Sequence, residues 1–178
     1  MSSLTIDPSK SRVRIHTFAE GLLSRLAHDI EIVCDKLEGS ATREGASASA
    51  SLKVSLDALT VTGVLKKGAL DTGVLSANDC RDILDKMRRE VFHADASASV
   101  GVEVTVDGGS AKVRVVPPKH RGVEVVLSPR VTEADGTVRV EGAFEISLAS
   151  IGSDPVKGPM GAFKVKDRVK IFADLAFR

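Results

Sequence analysis

Apolar side chains recur at every second position along the last long runs of the chain. Val138, Val140, Gly142, Phe144, Ile146 and Leu148 share one parity, and Arg139, Glu141, Ala143 and Glu145 share the other. Val169, Ile171, Ala173, Leu175 and Phe177 alternate in the same way with Lys170, Phe172, Asp174 and Ala176. A period of two belongs to a strand with one wet and one dry face. The pattern also predicts strands over Leu4 to Asp7, Ser11 to Phe18, His28 to Cys34, Lys36 to Arg43 and Ser47 to Asp57, with Leu52, Val54 and Leu56 as the dry row of the last. Further strands are expected over Ala96 to Val106, Ala111 to Val116 and His120 to Leu127, where Val102, Val104 and Val125 fall on dry parities. Turn signals at Glu44-Gly45, Asp107-Gly108-Gly109 and Asp135-Gly136 separate them,.

Two segments carry helical spacing instead. Leu22, Leu23 and Leu26 predict a turn or two of helix between Glu20 and Ala27,. Ser76 followed by Asp79 reads as a capping box, with Leu75 placed to staple onto Cys80, so a helix starts there,. Its apolar face is Cys80, Ile83, Leu84, Met87 and Val91, and the opposite face is charged,. Thr60 to Leu75, punctuated by Gly63, Gly68 and Gly73, reads as an irregular connection, and Ala149 to Met160 as a final loop,.

The expected fold is therefore mainly β. It is an antiparallel up-and-down, lipocalin-like barrel of about eight strands with one inserted amphipathic helix and a short helical turn. The 178 residues form one domain, 1–178,. Alternation alone fits a filled core as well as a hollow interior.

Charge and composition remove several functions. The net charge is +1 with no basic run, and aromatic residues make up 3% with no Trp or Tyr, which argues against a nucleic-acid partner,. No stretch approaches the roughly 18 apolar residues of a membrane span. The polar start lacks the features of a signal peptide, so a cytoplasmic location is expected, or a periplasmic one if a leader was removed. Cys34 and Cys80 lie on dry rows and are expected as free thiols,.

Chemistry-bearing residues are sparse. His28 and Asp29 are neighbours on a strand and point to opposite faces, so they do not pair readily as an oriented base,. His28 then reads as a core histidine or a contact to a ligand head group. His16, His93 and His120 show no metal-type spacing; no metal site, cofactor or catalytic residue is expected,. A small hydrolase or isomerase acting on a hydrophobic substrate through His28 is the enzymatic alternative, and a filled-core structural or interaction domain the other.

Several segments together resemble a known family. These are Leu4-Thr5-Ile6-Asp7-Pro8 with Ser11 and Val13, Leu26-Ala27-His28-Asp29-Ile30, and Gly142-x-Phe144-x-Ile146. To them add Leu75-Ser76-Ala77-Asn78-Asp79 before the helix, Ala96-Ser97-Ala98-Ser99 after it, and Phe163-Lys164-Val165-Lys166-Asp167-x-Val169-x-Ile171. They resemble the YceI-like family of lipid-binding proteins. The resemblance implies a lipocalin-like barrel carrying a polyisoprenoid, isoprenoid quinone or similar lipid, without catalysis. On that reading Ile30, Leu52, Val54, Leu56, Val102, Val104, Val125, Phe144, Ile146, Val169 and Ile171 line the cavity. Arg25, His28 and Lys66 are the head-group candidates, and a homodimer is left open as an assembly.

Overall fold

A computed structural model describes residues 2–21 and 27–178. The strands are β1 (Ser2–Thr5), β2 (Arg12–Thr17), β3 (Ala19–Glu20), β4 (Asp29–Cys34), β5 (Leu37–Glu44), β6 (Ser47–Ser55), β7 (Leu59–Lys66) and β8 (Ala69–Asp71). Helix α1 (Ala77–Lys86) follows, then β9 (Ser99–Asp107), β10 (Ser110–Val116), β11 (Val123–Leu127), β12 (Arg130–Ala134), β13 (Thr137–Ser147), β14 (Lys164–Val165) and β15 (Arg168–Phe177). All the ladders are antiparallel. One sheet has the order β1-β5-β6-β9-β10-β11, a second β12-β13-β15-β2-β4-β7-β8, and β14 pairs with β3 alone.

The chain passes between the two large sheets by bending. In the hairpin of β4–β5 with β6–β7, Cys34 is opposite Leu59 in one sheet and Leu37 opposite Val54 in the other. Cys34, Leu37, Leu56 and Leu59 pack into this corner and are almost fully buried. Burying an aliphatic side chain is worth about 1.5–3 kcal/mol, which holds the bend. β1 and β2 likewise lie in different sheets on either side of a bend, and the bonds between Thr5 and Arg178 tie it to the end of β15. β11 with β12 turns in the same manner, joined to β10 through one half and to β13 through the other.

Counted with their bends, the walls are β1/β2, β4/β5, β6/β7, β9, β10, β11/β12, β13 and β15, each beside its neighbour in sequence. The expected eight-stranded order is visible in these walls, with one correction. The hydrogen bonds fall into two large sheets, and among the described residues no ladder runs directly from β11 to β13.

α1 begins as the residue pattern predicts. The Ser76 hydroxyl accepts from the Asp79 N–H at 3.2 Å, and Asp79 accepts from the Ser76 N–H at 2.8 Å. Beyond Lys86 the helix widens over Met87–Val91, where the Phe92 N–H reaches the Met87 carbonyl, a five-residue step,. Arg88 holds this end to the corner by donating to the Leu56 carbonyl through Nε and Nη2.

The reading of Thr60 to Leu75 as irregular is corrected, since β7 and β8 occupy most of it. A register shift between Glu31 and Ile32 places Thr62 out of step and hides the alternation,. Gly63, which looks like loop punctuation, is a close approach: a Cβ there would stand 2.5 Å from the Asp71 carbonyl oxygen. The short helical turn expected between Glu20 and Ala27 falls largely on residues 22–26, outside the described residues.

Candidate ligand cavity

The two sheets enclose a cavity of about 950 Å³. This falls in the range of ligand pockets and far exceeds the voids of a close-packed interior. Side chains that point inward confirm the hollow: Val13, Ile15, Ile30, Val54, Val102, Val104, Phe144 and Ile171 are only half-buried although they line it. The space between the sheets is open rather than filled by side chains.

Of the side chains expected on the wall, Ile30, Leu52, Val54, Leu56, Val102, Val104, Phe144, Ile146, Val169 and Ile171 are all there. Val125 is a correction. It pairs with Val113 in the ladder, but β11 is the last strand of its sheet and Val125 sits half-buried off the lining. α1 contributes Ile83 and the following turn Met87 and Val91, whereas Leu84 packs against the core without lining the space. Val13, Ile15 and Thr17 also line it, from one parity of β2. Val156, Lys157, Met160 and Phe163 belong to the stretch before β15 and carried no periodic signal.

The mouth is marked by lining residues that are also exposed: His28, Asp79, Asp82, Lys157 and Met160. Asp79 is held by the Ser76 hydroxyl and N–H, which lower its pKa. Lys86 pairs with Glu90 at 2.9 Å. A smaller recess of about 330 Å³ adjoins the main cavity and shares Ala19, Ala27 and His28 with it. Its other lining residues are Asp29, Val64, Leu65 and Lys66.

Of the head-group candidates, His28 is exposed rather than a core residue and lies where the two spaces meet. Lys66 reaches only the recess and pairs with Asp71 at 2.7 Å. Arg25 lies outside the described residues. The Asp29 carboxylate accepts from the Ala19 N–H at 2.9 Å, a bond that fixes the start of β3.

The other histidines are engaged apart from one another. His16 meets Glu31, His93 donates to the Gly152 carbonyl at 3.1 Å, and His120 Nδ1 accepts from the Gly122 N–H at 3.1 Å. Among the described residues no three His, Cys, Asp or Glu side chains are grouped to hold a metal. No helix among them is long and apolar enough to cross a membrane. Both cysteines are free thiols.

The fold and cavity define a mainly β, antiparallel protein built around a large apolar space. Among solved structures it is similar to the crystal structure of BcnA from Burkholderia cenocepacia, with a TM-score of 0.65 over 96% of this chain and 98% of that chain. The identity is 15%, so the likeness is one of fold. No family model matches the sequence, and no curated protein does.

Proposed function

We propose that the protein is a non-catalytic carrier of the YceI-like kind, holding a long apolar chain such as a polyisoprenoid or an isoprenoid quinone. The observation that carries this reading is the cavity of about 950 Å³ with aliphatic walls. Water occupies about 30 Å³ per molecule in the liquid and a methylene takes a similar space, so there is room for about 30 carbon-sized groups. Each buried methylene contributes about 0.8 kcal/mol, offset in part by ordering of the tail. The sequence motifs support the family, and the fold shared with BcnA is consistent with it. His28, where the recess meets the mouth, and Lys66, in the recess, are the candidates for contacting the polar head.

Organic extraction of purified protein followed by mass spectrometry tests the proposal, with reloading of the stripped protein by an isoprenoid quinone. One long-chain apolar species at near-equal ratio to protein is expected. Protein that yields no lipid and takes up neither quinone nor polyprenyl lipid would overturn it.

A further inference from the structure

Two charged side chains stand where the alternation calls for apolar ones. Direct partners in a ladder point to the same face of their sheet, and Arg43 shares one row with Ala48, Val106, Ala111 and Leu127 across β5, β6, β9, β10 and β11. Val106, Ala111 and Leu127 line the cavity, so Arg43 belongs to the inward parity, at the end away from the mouth. Glu133 is the partner of Val138 on β13, and Val138 of Phe177 on β15. That row lies one inward step beyond Val140 and Leu175, where the lining of those two strands ends. Arg43 Nη1 and Glu133 Oε2 meet at 2.9 Å.

The two residues come from opposite sides of the interior. Going round the wall one way from β5, hydrogen-bonded neighbours lead through β6, β9 and β10 to β11, which bends into β12. The other way they lead through β1, the bonds between Thr5 and Arg178, β15 and β13 to β12. An ion pair between β5 and β12 therefore crosses the end of the interior instead of running along one sheet. Arg43 Nε also donates to the Gly45 carbonyl at 3.4 Å, which holds the side chain at its hairpin tip. Both partners stay partly exposed, so water covers the pair from outside. Beside it, Leu4, Ala41 and Ala48 on the inward parity are only half-buried, and Val131, the partner of Val140, is 53% exposed.

We infer that the Arg43–Glu133 pair closes the far end of the cavity and sets the longest apolar chain the protein accepts. The inference rests on the carrier reading and adds a length limit to it. A tail that reached the pair would strip water from a guanidinium and a carboxylate, and hydrocarbon offers neither a hydrogen bond in return. The attraction within the pair is small, as for other exposed pairs; the barrier is the lost hydration. At roughly 30 Å³ for each carbon-sized group, the cavity in front of the pair holds about six five-carbon isoprene units,. Without the pair, Leu4, Ala48 and Val131 would offer apolar surface to further units.

Loading the stripped protein from detergent with an equimolar mixture of ubiquinones, their tails running from about two to about ten isoprene units, tests this when the bound fraction is extracted and its composition read by mass spectrometry. Wild type should retain tails up to about six units and leave the longer ones. Arg43→Ala should raise the limit. The ratio of longest to middle-length quinone should then increase on the order of tenfold, since each further methylene brought inside favours binding about fourfold. Arg43→Glu should do the same by setting two carboxylates against each other. Combining Arg43→Glu with Glu133→Arg rebuilds a crossing pair and should bring back the wild-type limit. Circular dichroism melts of all three should match wild type, because the pair is exposed,. Wild type that takes the longest tails as readily as the middle ones, or an Arg43→Ala variant with an unchanged limit, would overturn the inference and leave the carrier reading standing. A swapped double variant as permissive as Arg43→Ala would overturn it too. Protein that takes up no quinone of any length would overturn the carrier reading, and the length limit with it.

Discussion

His16 Nε2 stands 2.9 Å from Glu31 Oε2 across the β2–β4 ladder, where the two residues are direct partners on the outer face. The Thr62 hydroxyl donates to the other carboxylate oxygen at 2.8 Å. Phe172 lies alongside, its ring centroid 4.7 Å from that of His16 and 5.1 Å from the Arg14 guanidinium carbon. This cluster explains a phenylalanine on the wet parity of β15: it is covered by Arg14 and His16, a favourable setting for a cation over an aromatic face. Burial works to raise the pKa of Glu31, but the bonds from His16 and Thr62 and the positive charges of His16 and Arg14 prevail and lower it.

A carboxylate with a depressed native pKa contributes stability above its unfolded value, about 4.3 for glutamate, and loses it as pH falls through the native value. Unfolding midpoints in urea should therefore be insensitive to this group above about pH 5 and fall on further acidification. Glu31→Gln should remove part of that acid slope and cost about 1–3 kcal/mol at neutral pH, because the buried partners lose a charged acceptor. An unchanged slope in Glu31→Gln would assign acid sensitivity to other carboxylates.

The two thiols should differ in reactivity. Cys34 is completely buried and burial pushes its thiol pKa up, while Cys80 is half-buried on α1. Only thiolate reacts, so a thiol reagent should label Cys80 first and reach Cys34 only through opening of the corner. Denatured, unreduced protein should show both. Equal native rates would mean that the corner opens far more often than its packing implies.

The wall residues were legible because parity is local: Val102, Phe144 and Ile171 each belong to an unbroken alternation. Whether their dry faces meet or stand apart is not local. It depends on the bends at Cys34–Leu37 and Leu56–Leu59, which pair residues distant in sequence and set the separation of the sheets. β7 was hidden by its register shift at Thr62, and Gly63 resembled a loop residue when its role is to admit β8. Met160 and Lys157 read only as loop, since nothing in a Gly- and Pro-rich stretch says which opening it will border.

Two glycines should respond differently to alanine. A Cβ on Gly63 would meet the Asp71 carbonyl oxygen at 2.5 Å, and that backbone can move only with β8. A Cβ on Gly142 would meet Leu127 Cδ1 at 2.7 Å, a methyl at the end of a rotatable side chain, where β11 passes β13 without a ladder. Gly63→Ala should cost about 1–3 kcal/mol by overpacking. Gly142→Ala should stay within about 1 kcal/mol, helped by the reduced freedom of the unfolded chain. Similar losses at the two positions in urea unfolding would show Leu127 to be as immobile as backbone.

Val54→Trp separates the uses of the interior. Val54 lines the cavity from β6, between Leu37 of β5 and Val100 of β9 in the ladders, and is only half-buried. The indole should extend into empty volume, so its cost should fall below the roughly 1–3 kcal/mol of an overpacked core. It should also occupy space that a ligand tail needs and reduce the amount of isoprenoid quinone the protein takes up. The chain has no native Trp, so the emission of the new indole reports this position alone. Residual quinone binding should exclude water from the indole and move its emission to shorter wavelength. A stable variant whose uptake equals that of wild type would place the ligand elsewhere than beside Val54, while strong destabilisation would mean that this part of the wall is packed against its neighbours rather than facing open space.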